Sequence, residues 1–139
     1  MKNFKKIVLT IMLGVLVLLP SAVYAKTEVK TNEELKAATK NGGDIVLQND
    51  IVLTDDITVK GQNISIDLNG NTITLKAYID VFEGSLEFKG NGLIKDDRED
   101  TNATIYVYGS TDSKAVAFAT LTVGKDVKSE TKRYYCLAL

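Results

Sequence analysis

Residues 44–75 read DIVLQNDIVLTDDITVKGQNISIDLNGNTITL. Within this stretch Ile45-Val46-Leu47, Ile51-Val52-Leu53, Ile57-Thr58-Val59, Ile64-Ser65-Ile66-Asp67-Leu68 and Thr72-Ile73-Thr74-Leu75 are short runs separated by polar turns. Apolar, mostly β-branched side chains recur at every second position, which is the period of a strand and not of a helix. Evenly spaced short strands suit a β-sandwich, which stands as the alternative fold. Internal repeats point elsewhere. Ile57-Thr58-Val59, Ile79-Asp80-Val81 and Ile105-Tyr106-Val107 all read Ile-x-Val, at offsets of 22 (57 to 79) and 26 (79 to 105). Residues 66–73 fall on residues 86–93 at a shift of 20 (Gly70 to Gly90), and back onto Ile45-Val46-Leu47 at a shift of 21 (66 to 45). Leu121-Thr122-Val123 opens a further repeat 35 residues after Leu86, with insertions expected at Asp96–Asn102 and Gly109–Lys114.

Strands repeating at about 20 residues predict an all-β, parallel β-helix of about three to four coils. Each coil gives one strand to each of two or three parallel sheets, and coils stack ~4.8 Å apart. Asn41-Gly42, Asn69-Gly70 and Asn91-Gly92 supply the left-handed backbone that coil corners need.

Outward from this stretch, Thr31-Asn32-Glu33-Glu34 reads as a capping box with Thr31 as N-cap. Leu35, Ala38 and Ala37 form an apolar stripe, and Asn41-Gly42-Gly43 ends the helix. A helix this short is marginal alone and is expected to seal the first coil. Further upstream, Lys2, Lys5 and Lys6 precede an apolar run from Ile7 to Leu19, then Pro20 and Val23-Tyr24-Ala25. That is the three-part pattern of a secretory signal peptide, with cleavage after Ala25. The run is shorter than the ~20 residues a spanning helix needs, so no membrane span is expected after its removal. The predicted organisation is a leader at 1–25, a linker and capping helix at 26–43, coils at 44–128 and an irregular tail at 129–139. The apolar ending Tyr134-Tyr135-Cys136-Leu137-Ala138-Leu139 carries no capping signal. It suggests the N-terminal fragment of a larger solenoid, or a partner protein seated on an open C-terminal coil.

The helix, the Gly-Gly and residues 44–75 together resemble the N-terminal part of right-handed parallel β-helix proteins of the pectate-lyase-like superfamily. More narrowly, Thr31 to Val127 is similar to secreted or cell-surface solenoid domains of Gram-positive bacteria. The resemblance implies the fold. It implies little about activity, because the superfamily holds lyases, polysaccharide hydrolases, phage spikes, adhesins and non-catalytic stalks.

Composition narrows the chemistry. The chain of 139 residues has no histidine, one cysteine and 17 basic against 18 acidic side chains. Histidine-dependent triads and metal sites are excluded, as is an internal disulfide framework. The charge balance argues against a nucleic-acid partner. No catalytic motif of the resembled superfamily can be carried onto these residues. If Ile79, Val81, Ile105 and Val107 point inward, then Tyr78, Asp80, Phe82, Tyr106 and Tyr108 point outward on adjoining coils. Aromatic rings beside a carboxylate suit stacking on sugars, or packing beneath a loop or against a partner. Asp67 and Glu87 are expected at one outward position on successive coils, as half of a calcium site or as solvated acids. Asp96-Asp97-Arg98-Glu99-Asp100 reads as an exposed acidic loop without EF-hand spacing. Asn63 and Asn102 begin N-glycosylation sequons, and Cys136 is a lone thiol without a histidine partner. The expectation is a non-catalytic, secreted or cell-surface interaction or adhesion module that binds polysaccharide or protein. No cofactor is expected, and calcium is the ion to test. The competing expectation is a calcium-dependent polysaccharide lyase.

Overall fold

The computed structural model describes residues 25–100, 102–109, 118–130 and 134–137. Residues 1–24 of the expected leader (1–25), residues 110–114 of the second expected insertion (109–114), and residues 131–133 and 138–139 of the expected tail lie outside the described residues. Strand β1 (Thr27–Val29) precedes helix α1 (Asn32–Asn41). Twelve further strands follow: β2 (Gly43–Leu47), β3 (Ile51–Leu53), β4 (Ile57–Lys60), β5 (Asn63–Asp67), β6 (Thr72–Leu75), β7 (Ile79–Phe82), β8 (Ser85–Lys89), β9 (Gly92–Asp96), β10 (Ile105–Tyr108), β11 (Thr120–Val123), β12 (Val127–Glu130) and β13 (Tyr134–Leu137).

The strands are dealt in rotation to three sheets. The first has the order β1-β2-β5-β8-β11, the second β3-β6-β9-β12 and the third β4-β7-β10-β13. Strand pairing within all three sheets is parallel. That excludes an antiparallel sandwich and is compatible with a β-helix. Among the described residues, no helix is long and apolar enough to cross a membrane.

The period-2 alternation places one face of every early strand inside. Ile57, Ile79 and Ile105 pair in register across the third sheet, as do Val59, Val81 and Val107, and all six are buried. Ile51, Ile73 and Ile94 do the same across the second sheet. Each such column removes like side chains from water, at ~1.5–3 kcal/mol per fully buried residue.

One register differs from the sequence expectation. The shift of 20 set Ile66 on Leu86, but Ile66 pairs with Phe88 and Ile64 with Leu86, an offset of 22. Matching Gly70 to Gly90 slipped the pairing by two residues. An even slip keeps inward residues inward, so the apolar pattern could not reveal it. The shift of 21 onto the strand before is the observed one: Ile45 pairs with Ile66. Leu121 pairs with Leu86 as expected.

Helix α1 starts as its sequence indicates. The Thr31 hydroxyl accepts from the Glu34 amide at 3.2 Å. The Glu34 carboxylate accepts from the Lys30 amide at 2.7 Å, one residue before the cap. Leu35 and Ala38 are buried with Thr39, whereas Ala37 is exposed and is not part of the stripe. The helix packs on β1, β2, β3 and β4 and so covers one end of the stack. Asn32 donates to Asp55 at 2.9 Å and Lys36 pairs with Asp55 at 3.2 Å, fixing the helix to the turn between β3 and β4. Two segments expected without strands contain them. Thr27–Val29, placed in the linker, pairs with Ile45–Leu47, and Tyr134–Leu137, placed in the irregular tail, pairs with Ile105–Tyr108. Both are short runs with too little alternation to announce a strand, and their pairing comes from the neighbouring coil. The stack thins toward β11: Val123 pairs with the fully buried Phe88 yet is 38% exposed.

Candidate functional site

The outer face of the third sheet carries a grid of two register rows across β4, β7 and β10, with Tyr78 beside them. Because β4, β7 and β10 pair with inward isoleucine and valine, the residues between them face out. Thr58, Asp80 and Tyr106 share one register row, and Lys60 and Phe82 share the next with Tyr108. Tyr78, just before β7, completes the grid; its amide donates to the Asp56 carboxylate at 2.8 Å. The sequence reading of Tyr78, Asp80, Phe82, Tyr106 and Tyr108 therefore names five residues that the register does bring together. All five are half-buried.

The rings form two contacts on either side of Asp80. Phe82 and Tyr108 have centroids 5.4 Å apart at 54°, and Tyr78 and Tyr106 are 5.9 Å apart at 50°. These are tilted arrangements within the favourable range for aromatic pairs. The outer ring faces also meet cations: Lys60 Nζ lies 5.7 Å from the Phe82 centroid and the Arg98 guanidinium 4.3 Å from that of Tyr78. Burial and the nearby Asp56 charge push the Asp80 carboxyl above its ordinary pKa, partly opposed by the Tyr108 hydroxyl. Burial, together with the Asp80 charge and a hydrogen bond to Asp80, pushes the Tyr108 phenol up as well.

Beside this grid lies a cluster that the sequence reading missed. Asp96 was expected to begin an exposed loop with Arg98 in it. Instead Asp96 ends β9 in register with the inward Leu75, which itself pairs with Leu53. Asp96, Arg98 and Thr104 are 7%, 5% and 0% exposed. Arg98 Nε meets Asp96 Oδ1 at 3.3 Å, and the Arg98 amide donates to the same oxygen at 3.1 Å. Its Nη2 donates to the Asn102 carbonyl at 2.8 Å and to the Thr104 hydroxyl at 3.0 Å, and Nη1 reaches Asp100 at 3.4 Å. The Thr104 hydroxyl in turn donates to Asp96. Burial would raise the Asp96 pKa, but Thr104 and Arg98 outweigh it and hold the carboxyl below its ordinary value. A buried carboxylate in an apolar column is tolerable only when paired and hydrogen-bonded in this way. Tyr78 closes the cluster from outside, its hydroxyl donating to Asp100 at 3.1 Å. The available signal was the column itself, because an acid stands where the two preceding coils place leucine.

The acid pair on the first sheet is not assembled as expected. With the 22-residue register, Glu87 stands beside Ser65 and Asp67 beside Lys89, so the two carboxylates are not opposite one another. Ser65 donates to Glu87 at 2.9 Å, and Asp67 accepts from the Asn69 amide at 3.0 Å. A groove of about 270 Å³ lies on this face, lined by Asp44, Asn63, Ser65, Ser85 and Glu87 among others. Its polar groups largely satisfy one another: Ser85 donates to Asn63 at 2.7 Å, and Lys89 pairs with Asp44 at 3.1 Å beside it. Among the described residues, no three or more carboxylate or thiol groups are placed to hold a metal ion. Cys136 lies in β13, in register with Val107.

The chain matches no protein-family model, no curated protein and no solved structure.

Proposed function

We propose that this chain is a non-catalytic interaction module, exported to the cell surface or medium, that binds glycan on the outer face of its third sheet. In this reading the fold is a right-handed parallel β-helix of three to four coils, of the kind found in the pectate-lyase-like superfamily. Parallel strands joined through a crossover are right-handed in nearly all proteins, which supports the hand. The leader pattern at 1–25 supports export.

The observation that carries the glycan reading is the pair of ring contacts flanking Asp80 on one sheet face. A strip of half-buried rings offers apolar surface to the C–H face of a sugar. A carboxylate within the strip accepts hydroxyl hydrogen bonds and fixes orientation. The rings occupy two successive rungs ~4.8 Å apart, a spacing suited to adjoining units of an extended chain.

Binding of the full chain to a panel of soluble polysaccharides, with and without calcium, tests this. The expected result is saturable binding that is lost in a Phe82→Ala/Tyr106→Ala double variant of unchanged thermal stability. Absence of binding to every glycan would sink the proposal. Release of unsaturated uronate from polygalacturonate would replace it with the lyase reading.

A further inference from the structure

We propose that the ligand of this face carries a free ammonium group, received by Asp80 between Phe82, Tyr106 and Tyr108. Within the glycan reading, on which this rests, the class is an aminosugar polymer with free amines, in preference to a neutral or N-acetylated one.

Three observations carry it. First, Asp80 stands between the two ring contacts, and no cation among the described residues pairs with it. Among the described residues, none of the ion pairs includes Asp80 or Asp56. The near charge that acts on Asp80 is the like charge of Asp56. A half-buried carboxylate facing another acid is short of positive charge, and a cationic ligand relieves both.

Second, the rings around it already receive cations. The Lys60 ammonium lies on Phe82 and the Arg98 guanidinium on Tyr78. The two protein cations stand on the two ring contacts that flank Asp80. An ammonium placed there meets a carboxylate and the faces or edges of neighbouring rings together, the combination that binds such groups most strongly.

Third, the arrangement differs from that of Asp44 on the first sheet. Glu87 accepts from Ser65, and Asp44 is paired with Lys89. Asp44 is thus neutralised by a cation, whereas Asp80, like Glu87, has only a hydroxyl partner among the described residues, which leaves its negative charge in place, and of these two Asp80 alone stands among rings.

The test is calorimetric titration of the full chain with a glucosamine hexamer and, separately, with its fully N-acetylated counterpart. The amine form is expected to bind at least tenfold tighter. Asp80→Asn is expected to erase that difference while Glu87→Gln leaves it intact, which separates local recognition from general attraction to an acidic protein. Asp80→Glu, which keeps the charge, is expected to retain part of the preference and guards against simple misfolding of the Asn variant. Equal affinity for the two oligomers overturns this inference and leaves glycan binding standing. A preference for amine that survives Asp80→Asn overturns it too. No binding of either oligomer, or of any polysaccharide in the panel above, overturns both.

Discussion

On the outer face of the first sheet, Ser65 donates to Glu87, Ser85 donates to Asn63 and Lys89 pairs with Asp44. On the outer face of the third, Phe82 packs on Tyr108 and Tyr78 on Tyr106, and Asp80 stands between the two contacts. Both faces cover buried columns with the same 22-residue register between their central strands. The core constrains only the inward half of each strand, so the outward halves are free to diverge. One face became a set of short polar exchanges between neighbouring coils. The other kept aromatic surface and an acid for which no described residue supplies a cation. The difference locates where a ligand gains most: satisfied polar groups must give up partners to bind, whereas half-buried rings and a carboxylate held only by a phenol gain them.

The largest expected effect separates the anchors of the two faces. Arg98→Ala leaves Asp96 and Thr104 buried without their partner and is expected to cost about 3–5 kcal/mol in urea unfolding. Arg98→Lys should restore little of this, because a single ammonium cannot reproduce the fork that reaches Asp96, Asn102 and Thr104. On the first sheet, Lys89→Ala breaks a pair whose side chains are 35% and 38% exposed, and a loss below about 1 kcal/mol is expected. Similar losses from the two substitutions would erase the contrast.

Next in size is binding. Removing either Phe82 or Tyr106 is expected to weaken glycan affinity about tenfold, in line with ~1.4 kcal/mol per decade. Ser65→Ala should leave affinity unchanged in the same titration. A reversal of these two results would move the site to the first sheet.

Acid sharpens the comparison further. The Asp96 pKa is lowered in the fold, so its ionised form contributes stability above the unfolded value of ~3.9. That contribution is lost as pH falls through the lower folded value. Urea midpoints measured from pH 7 down to pH 2 should therefore fall less steeply for Asp96→Asn than for the parent chain, from a lower starting point. The smallest expected effect has the opposite sign. The Asp80 pKa is raised, so its ionised form costs stability above the folded value and nothing below the unfolded one. Asp80→Asn should raise the urea midpoint slightly at pH 7 and leave it unchanged at pH 3.

These contrasts also show what could be read from the residues alone. The Ile-x-Val columns announced the third sheet because three identical triplets recur at offsets that the structure keeps. The aromatic grid followed from them by alternation. The first sheet was harder, since Gly70 and Gly90 looked equivalent while the ladder pairs Asp67 with Lys89. That two-residue slip left the buried pattern intact and moved only the outward partners, which is why it touched the acid pair and not the fold. Arg98 was hidden for a different reason. Charged residues in a row read as solvated loop, and only the neighbouring coil shows that Asp96 occupies an inward column position.

Ligand on the third sheet's outer face should be visible residue by residue. The most direct measurement is a chemical-shift titration of the isotope-labelled full chain with the glucosamine hexamer. The account predicts perturbations centred on Tyr78, Asp80, Phe82, Tyr106 and Tyr108, with Ser65, Glu87 and Lys89 unmoved. Perturbations centred on Ser65 and Glu87, with the aromatic grid silent, would contradict it.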